Sequence, residues 1–184
     1  MTYIVAQQTP NLEGKIADSI SSVVRRSFKN ANRKSNAYTK EQETALLESY
    51  SSHNIRENYD PLICAFAYNE RLIGDRLVGT GFLNSGCYEY YNGIWTENQD
   101  VANGFLYGLY VRPSMQGRGI RMEMLLAIIN IAKQHGIRRI QGFSTIFPRV
   151  AERYAQHGFE LGVTDVLLNC AGTPVNFREI NLYL

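Results

Sequence analysis

The sequence predicts an α/β protein that includes an antiparallel hairpin. Runs of β-branched and aromatic residues alternate along the chain with segments of helical periodicity. Two of the β-type runs, residues 61–70 and 76–84, are separated by only a few residues, which is typical of an antiparallel hairpin. The chain has 184 residues, of which 45% are apolar, and this composition predicts one domain over residues 1–184.

The N-terminal part predicts a strand and two helices before this hairpin. Residues 2–8 form the strand-like run, and a helix is expected over residues 12–28. The apolar residues with helical spacing there are Leu12, Ile16, Ile20, Val23 and Val24. Thr39, with Gln42 three residues later, has the pattern of a capping box, so a second helix is expected over residues 39–53.

The segment after the hairpin, residues 85–104, is rich in Gly, Asn and aromatic residues and shows no period, so we expect a long loop. Beyond it the pattern predicts strand, helix, strand, helix and two closing β segments, over residues 105–111, 116–136, 137–144, 148–158, 159–172 and 175–184.

Composition excludes several classes of function. Lys and Arg exceed Asp and Glu by only 19 to 17, so the protein as a whole is not built to bind a polyanion, and no nucleic-acid partner is expected. The three cysteines form no CxxC and the three histidines show no ligand spacing, so we expect neither a disulfide framework nor a metal. No signal peptide or membrane span is recognisable, which predicts a soluble, cytoplasmic protein.

A glycine-rich turn lies between a predicted strand and a predicted helix and reads Gln116-Gly117-Arg118-Gly119. Helix N-termini expose unpaired N–H groups, and glycine lets a phosphate approach the backbone, so the turn indicates an anion site. It lacks the Lys and Ser/Thr of a P-loop and the third glycine of a dinucleotide fingerprint, with Met122 at that place. The alternative is a tight turn with a solvated Arg118.

The stretch around this turn resembles the acyl-CoA pyrophosphate loop of the GNAT superfamily of N-acetyltransferases, which follows a strand ending in Val-x-Pro. A second stretch, with Tyr154, Gly158 and Phe159, resembles the family's next helix, which ends Tyr-x-x-x-Gly-Phe. The order of elements also agrees over nearly the whole chain. The segments "YTKEQETALL" and "VNFREINLYL" are similar to a small bacterial branch of the family.

The resemblance implies a GNAT fold, which is a mixed, mostly antiparallel sheet of six to seven strands with helices on both faces. It also implies an acetyl-CoA-dependent N-acetyltransferase that transfers the acetyl group directly to a primary amine in a ternary complex. Tyr154 would return a proton to the leaving thiolate. The strand residues would pair with the pantetheine arm of coenzyme A, and the turn would bind its pyrophosphate. The implied cofactor-binding residues are Leu109, Tyr110, Val111, Gln116, Gly117, Arg118, Gly119, Ile120 and Arg121.

Two departures from the family pattern affect these expectations. Arg121 replaces a small residue, and it either adds a salt bridge to a phosphate, which we favour, or crowds the turn. The strand of residues 105–109 has no carboxylate to serve as the base. The base is then either a water chain, Tyr107 or one of three acids, which are Glu89, Glu97 and Asp100.

The acceptor is expected to be a small-molecule amine held by aromatic residues, with Phe28, Tyr38, Trp95 and Tyr107 as the substrate-binding residues. Tyr88, Tyr90 and Tyr91 are further aromatic candidates. Residues 25–40 contain six basic and no acidic residues, which leaves open a macromolecular acceptor, either a protein amine or an aminoacyl-tRNA. A non-catalytic acyl-CoA-binding module and a homodimeric assembly also stay open.

Overall fold

The computed structural model describes residues 1–8, 12, 14–58, 61–70, 72, 76–91, 94–147, 149–162, 166–170 and 172–184. The first elements are β1 (Thr2–Gln8), α1 (Lys15–Ser35), α2 (Lys40–Ser49), α3 (Ser52–Asn58), β2 (Ile63–Asn69), β3 (Leu77–Ser85), β4 (Cys87–Tyr91) and β5 (Ile94–Asn98). The later ones are β6 (Asn103–Val111), α4 (Ile120–Gln134), β7 (Arg139–Thr145), α5 (Val150–Ala155), β8 (Glu160–Leu161), β9 (Val166–Cys170) and β10 (Thr173–Tyr183). A 3₁₀ turn, Pro113–Met115, connects β6 to the segment before α4.

The main sheet has the strand order β1-β2-β3-β6-β7-β10-β8, and β9 pairs with the first part of β10. Its neighbours are antiparallel except β6 and β7, which are parallel and connected through α4. The predicted class, a mixed and mostly antiparallel sheet with helices, is confirmed. The sheet has eight described strands, one more than the upper end of the predicted range.

Helices pack on both faces of the sheet because the strands alternate their apolar side chains between two cores. On one face α4 packs over a cluster that includes Ile63, Leu106 and Ile140. On the other face α1 packs over a cluster that includes Phe66 and Phe82. The central strands are therefore covered on both sides. An opening between β6 and β7 connects the two faces.

The first helices begin and end differently from the prediction. α1 starts at Lys15 and extends to Ser35, beyond the predicted end at residue 28, and Asn36 ends it in the left-handed conformation. The capping box of Thr39 and Gln42 is present as predicted. The predicted helix 39–53 divides into α2 and α3, because the Ser51 hydroxyl accepts the backbone N–H of Asn54 and starts a new helix.

The prediction of a long loop over residues 85–104 is wrong. Most of this segment is a two-stranded hairpin, in which β4 and β5 pair from Cys87 with Asn98 to Tyr91 with Ile94. The sequence between the two strands is Asn-Gly, flanked by aromatic and β-branched residues, which is a strong local signal for a hairpin. Among the described residues, no helix is both long and apolar enough to cross a bilayer.

Candidate functional site

The two parallel strands of the sheet separate part of the way along their length. β6 and β7 pair only over Asn103–Leu106 and Arg139–Gly142, although β6 continues to Val111 and β7 to Thr145. A side chain on Gly142 would approach the Leu106 carbonyl oxygen to 3.0 Å, so glycine permits the last close pairing. Beyond this point a cleft of about 990 Å³ opens between the strands and reaches both faces of the sheet.

The cleft has one mouth on each face. The α4 mouth is lined by Gln116, Gly117, Gly119, Ile120, Arg121, Met122, Arg153, Tyr154, Gln156 and His157. The α1 mouth is lined by Asn30, Ala31, Lys34, Leu46, Ser49, Tyr50, Asn84, Tyr88, Phe105, Tyr107, Phe143, Thr145, Phe147, Leu168, Cys170 and Phe177. Tyr110 lines the cleft between them and contacts Tyr50 with a ring-centroid distance of 5.8 Å. Burial raises the pKa of Tyr110 well above its ordinary value, so this hydroxyl stays protonated.

A β-bulge shapes β6 where the cleft begins. Tyr110 pairs with Thr80 and Tyr107 with Phe82, so Gly108 and Leu109 together oppose Gly81. Gly108 has a φ of 63°, and the Thr80 hydroxyl donates a hydrogen bond of 2.9 Å to its carbonyl. The extra residue changes which side chains face each core: Leu106 and Leu109 both join the α4-side cluster, although they are three residues apart.

The glycine-rich turn precedes α4 and lines the α4 mouth. Gly117 and Gly119 have φ angles of 77° and 78°, and Gly119 is the N-cap of α4. A Cβ on Gly117 would have no heavy atom within 4 Å, so backbone conformation, not crowding, favours glycine there. The Gln116 side chain donates to the Val111 carbonyl at 3.1 Å and connects the turn to β6. The helix begins at Ile120, four residues later than predicted.

Tyr154 and Arg121 lie together at the α4 mouth. Tyr154 is 7% exposed, and its ring meets that of Phe159 at 5.2 Å. The guanidinium carbon of Arg121 lies 4.7 Å from the Tyr154 ring centroid, which is a cation–π contact. Arg121 thus contacts an aromatic ring at this mouth, an arrangement that neither of our two sequence interpretations included. Arg118, by contrast, is exposed and does not line the cleft.

Four partly exposed aromatic residues form a continuous group at the α1 mouth. We call Tyr88, Phe105, Tyr107 and Phe143 the aromatic cluster. The ring centroids of Tyr88 and Phe105 are 4.9 Å apart, those of Phe105 and Phe143 are 5.2 Å apart, and those of Phe105 and Tyr107 are 6.3 Å apart. The Tyr107 hydroxyl also donates a hydrogen bond of 2.9 Å to the Asn84 side-chain oxygen. Sequence reasoning did not identify Phe105 or Phe143.

A buried polar network attaches the β4–β5 hairpin to the main sheet beside this cluster. The Gln141 side chain accepts the Tyr88 backbone N–H at 2.6 Å and donates to the Tyr88 carbonyl at 2.8 Å. It also donates to Glu179 at 2.8 Å, and Arg139 lies 3.6 Å from the same carboxylate oxygen. Because Gln141 is fully buried, these bonds fix the backbone of Tyr88, and with it one edge of the α1 mouth.

Two of the predicted substrate-binding residues lie behind the cleft surface rather than on it, which corrects the prediction. Phe28 is 0% exposed in the α1-side core, where its ring packs against Phe147 at 5.0 Å. Tyr38 is 3% exposed, and its hydroxyl donates to the Asn176 carbonyl and accepts the Ile146 amide. Both were predicted from aromatic character alone, which does not separate core from surface.

The other two predicted substrate-binding residues have different outcomes. Tyr107 lines the cleft. Trp95 lies in β5 opposite Tyr90, and its side chain is outside the described residues, so its role stays a prediction. Only the backbone of Tyr90 and Tyr91 is described, so their predicted role also stays a prediction.

The candidate bases differ in position. Glu89, Glu97 and Asp100 are exposed and do not line the cleft. Asp100 accepts hydrogen bonds from Ala102 and Asn103 and stabilises the turn before β6. Tyr107 and a water chain are the candidates that this geometry leaves. Among the described residues, no group of three or more His, Cys, Asp or Glu gathers as a metal site would require.

Comparisons with known proteins agree with this geometry. The sequence model of the acetyltransferase (GNAT) family matches residues 28–159. Among solved structures, the chain is similar to the PaiA N-acetyltransferase from Thermoplasma acidophilum in complex with coenzyme A, with 17% identity, 99% of each chain covered and a TM-score of 0.71. It is also similar to a GCN5-related N-acetyltransferase from Rhodopseudomonas palustris, with 14% identity, 99% and 95% coverage and a TM-score of 0.69.

A third similar structure is the ribosomal-protein-S18-alanine N-acetyltransferase from Escherichia coli, with 13% identity, 100% and 94% coverage and a TM-score of 0.61. At these identities the structural likeness shows the fold. No curated protein matches the chain significantly.

Proposed function

The chain belongs to the acetyltransferase (GNAT) family, and from this premise we propose that it transfers the acetyl group of acetyl-CoA to the primary amine of a small molecule in a ternary complex. The supporting observation is the cleft that passes through the sheet between β6 and β7. One mouth presents glycine backbone and the first amides of a helix, and the other presents aromatic side chains. Donor and acceptor can therefore enter from opposite faces and meet between the strands.

The α4 mouth fits coenzyme A. Acetyl-CoA supplies a thioester whose acyl carbon is open to attack by an amine. The amides of residues 116–121 and the positive end of α4 would bind the pyrophosphate, and the open space beside Gly117 and Gly119 allows its approach. The edge of β6 past Leu106 is not paired with β7, so Leu109, Tyr110 and Val111 can pair with an extended amide-containing arm as a strand would.

Three groups of this chain would act on the charges that move during transfer. A backbone N–H of the Leu109–Val111 segment would stabilise the negative charge on the thioester oxygen, as preorganised amides do in acyl transfer. Tyr154 would then donate its proton to the departing sulfur. Arg121 above the Tyr154 ring would stabilise the negative charge that develops on the phenol oxygen during this donation. This proposal replaces phosphate binding as the main role of Arg121.

The amine must lose a proton before or during attack. Tyr107 lies on the cleft surface, and its hydroxyl donates to Asn84, so its oxygen keeps lone pairs that can accept a hydrogen bond from the amine. The Tyr107 hydroxyl cannot also remove this proton, because its own hydrogen goes to the Asn84 amide oxygen, which is not a base. Phe105, Leu106 and Leu109 carry no carboxylate, so we assign proton removal to a water chain through the α1 mouth, with Tyr107 orienting the amine.

A macromolecular acceptor is the second candidate, and one observation favours it. Arg25, Arg26, Lys29 and Arg33 are exposed on α1, the helix whose other residues line the cleft. An acidic protein or RNA could bind there and present an amine to the α1 mouth. A single acetyltransferase domain over residues 1–184, a cytoplasmic location and a homodimer are further proposals.

The test is release of free thiol from acetyl-CoA with a panel of small amines, alongside the effect of CoA on the melting temperature. We expect CoA to raise the melting temperature, because a ligand that binds only the native state stabilises it. We also expect at least one small amine to accelerate thiol release. CoA binding without any turnover would contradict the proposal and favour a macromolecular acceptor or a non-catalytic module. Turnover of an acidic peptide or of aminoacyl-tRNA would then identify the second candidate.

A further inference from the structure

The aromatic cluster offers ring faces and edges, rather than charges, to an acceptor in the α1 mouth. Tyr88, Phe105, Tyr107 and Phe143 are all partly exposed, although neighbouring core aromatics such as Phe82 are fully buried. Groups of half-exposed apolar side chains in a cleft mark ligand surfaces, because folding alone would bury them. The spacing of the rings, from 4.9 to 6.3 Å between centroids of neighbours, matches the distances at which aromatic groups pack.

This surface is held in place from behind. Gln141 fixes the backbone of Tyr88, Phe82 packs against the Tyr107 ring at 5.3 Å, and Asn84 accepts the Tyr107 hydroxyl. Burial, with a smaller contribution from Glu97, raises the pKa of Tyr88, so its hydroxyl is neutral at physiological pH. An acceptor therefore meets a preformed and uncharged surface.

Among the described residues that line the cleft, the charged side chains are cationic. Among the described residues that line it, none is Asp or Glu, and the cation at the α1 mouth is Lys34, on the exposed rim. A second ammonium group on the acceptor would lie against aromatic rings and near Lys34, with no carboxylate among the described lining residues to replace its water. A single amine on a flat apolar body avoids this cost, because the amine loses its charge during the reaction.

We infer that the acceptor is a primary amine on an aromatic body with no second cationic group, of the arylalkylamine class. The inference rests on the proposed function and specifies its substrate. The aromatic body packs on the cluster, and its amine points along the cleft toward the gap between β6 and β7. Linear polyamines are poor acceptors for the same reason.

The first experiment compares amines that differ in one property. Acetyl-CoA turnover is measured with 2-phenylethylamine, hexylamine and 1,6-diaminohexane. We expect kcat/KM to be highest for phenylethylamine and lowest for the diamine, with hexylamine exceeding the diamine by about tenfold to a hundredfold, the range set by an unpaired buried cation. Equal or better turnover of the diamine would overturn the inference while leaving the proposed function intact.

Two variants test whether the aromatic cluster causes the predicted preference among these amines. Phe143→Leu keeps an apolar side chain but removes a ring, so the phenylethylamine advantage over hexylamine should fall about three- to tenfold. Asn84→Asp keeps the size of the side chain and can still accept the Tyr107 hydroxyl, but it adds a carboxylate to the cleft, so relative turnover of the diamine should rise about tenfold. The matched controls, Tyr3→Leu and Asn130→Asp, change exposed residues that do not line the cleft and should leave these ratios unchanged.

A direct binding measurement separates failure of this inference from failure of the proposed function. If CoA binds but no amine is turned over, binding of N-acetyl-phenylethylamine and N-acetyl-hexylamine to the CoA-loaded protein is compared by calorimetry. Preference for the aromatic amide, lost in Phe143→Leu, supports the aromatic site even without catalysis. Equal binding of the two amides, or an unchanged preference in Phe143→Leu, overturns it.

Discussion

The two mouths of the cleft are built from different parts of the polypeptide. The part of the α4 mouth beside the turn depends on backbone, with glycines at positive φ, the first amides of α4 and the unpaired edge of β6, all within residues 107–121. The α1 mouth depends on side chains from β3, β4, β6 and β7, which are distant in sequence. Backbone geometry needs particular residues at particular spacings, so it leaves a readable sequence pattern. A surface assembled by tertiary packing does not.

The same difference predicts how variants behave. A change at the α4 mouth acts on acetyl-CoA or on the leaving thiol, which are common to every reaction of the enzyme, so it should alter turnover of all amines by one factor. A change at the α1 mouth should alter the ratio between amines. Kinetics of each variant with two amines distinguish the two cases.

The largest effect is expected for Tyr154→Phe. Removing the hydroxyl keeps the ring, its contact with Phe159 and the cation–π contact with Arg121, so the fold should survive. Without a positioned acid, kcat should fall about a hundredfold to ten-thousandfold with little change in the KM for acetyl-CoA. Steady-state kinetics with phenylethylamine and hexylamine should show the same factor for both.

The control for this change is Tyr183→Phe, which removes the hydroxyl of an exposed tyrosine on β10. Its kinetics should equal those of the native enzyme. Native-like turnover in Tyr154→Phe would show that Tyr154 is a packing residue. A loss that differs between amines would show that Tyr154 acts on the acceptor and not on the leaving thiol.

Gly119→Glu should remove the stabilisation by CoA. The change places a side chain on a residue with φ of 78° and a carboxylate where a phosphate would bind at the N-terminus of α4. We expect the rise in melting temperature with CoA to be lost, with CoA affinity lowered by about a hundredfold, a factor equal to roughly 2.7 kcal/mol.

Gly136→Glu is the matched control for this variant. Gly136 has a φ of 73° and open space around its Cβ, but it lies beyond the other end of α4. Gly136→Glu therefore introduces the same residue under similar backbone strain, and it should keep its full response to CoA. If both variants respond equally, the phosphate is bound elsewhere.

The sequence predicted the glycine-rich turn of the α4 mouth, but the bulge in β6 was not predicted. Gly108 lies in a strand that reads Leu-Tyr-Gly-Leu-Tyr, where the apolar pattern repeats after three residues instead of two. A glycine at a break in period 2 is the signature of a bulge, so this feature was readable and was missed. The divergence of β6 from β7, by contrast, depends on the neighbouring strand and leaves no mark in either strand alone.

The sequence analysis predicted an aromatic acceptor site but did not name most of the aromatic residues that line the α1 mouth. Aromatic residues were expected around the acceptor, and Tyr107 does line this mouth. Phe28 lies on the buried face of α1, and the Tyr38 hydroxyl is bonded to two backbone groups in the core. Phe143 could not be placed from sequence, since β7 has both faces covered and its alternation does not say which residue borders a cleft. Phe105 lines the cleft in contact with Tyr88 of β4, and this contact with a separate strand cannot be inferred from β6 alone.

A smaller effect is expected for Arg121→Gln. Loss of the guanidinium removes the positive charge above Tyr154, so kcat should fall about tenfold, within the range for a partly desolvated cation–π contact. CoA affinity should change less than kcat, and Arg121→Lys should recover part of the loss. The measurement is kcat and the dissociation constant of CoA for each variant with two amines. A large loss of CoA affinity with unchanged kcat would instead show that Arg121 binds a phosphate.

The smallest effect, and one of opposite sign, is expected for Glu123→Gln. Glu123 lies in the first turn of α4, and its carboxylate would be 3.8 Å from a Cβ on Gly119. There it occupies the favourable position for an anion at a helix N-terminus and repels a second anion that binds to the same amides. Because the side chain is exposed and screened by salt, neutralising it should tighten CoA binding only about two- to fivefold at low ionic strength. The gain should shrink as salt is added, and relative turnover of phenylethylamine and hexylamine should stay constant. Weaker CoA binding in Glu123→Gln would mean that the pyrophosphate does not lie at the N-terminus of α4, even if the aromatic cluster still selects the amine.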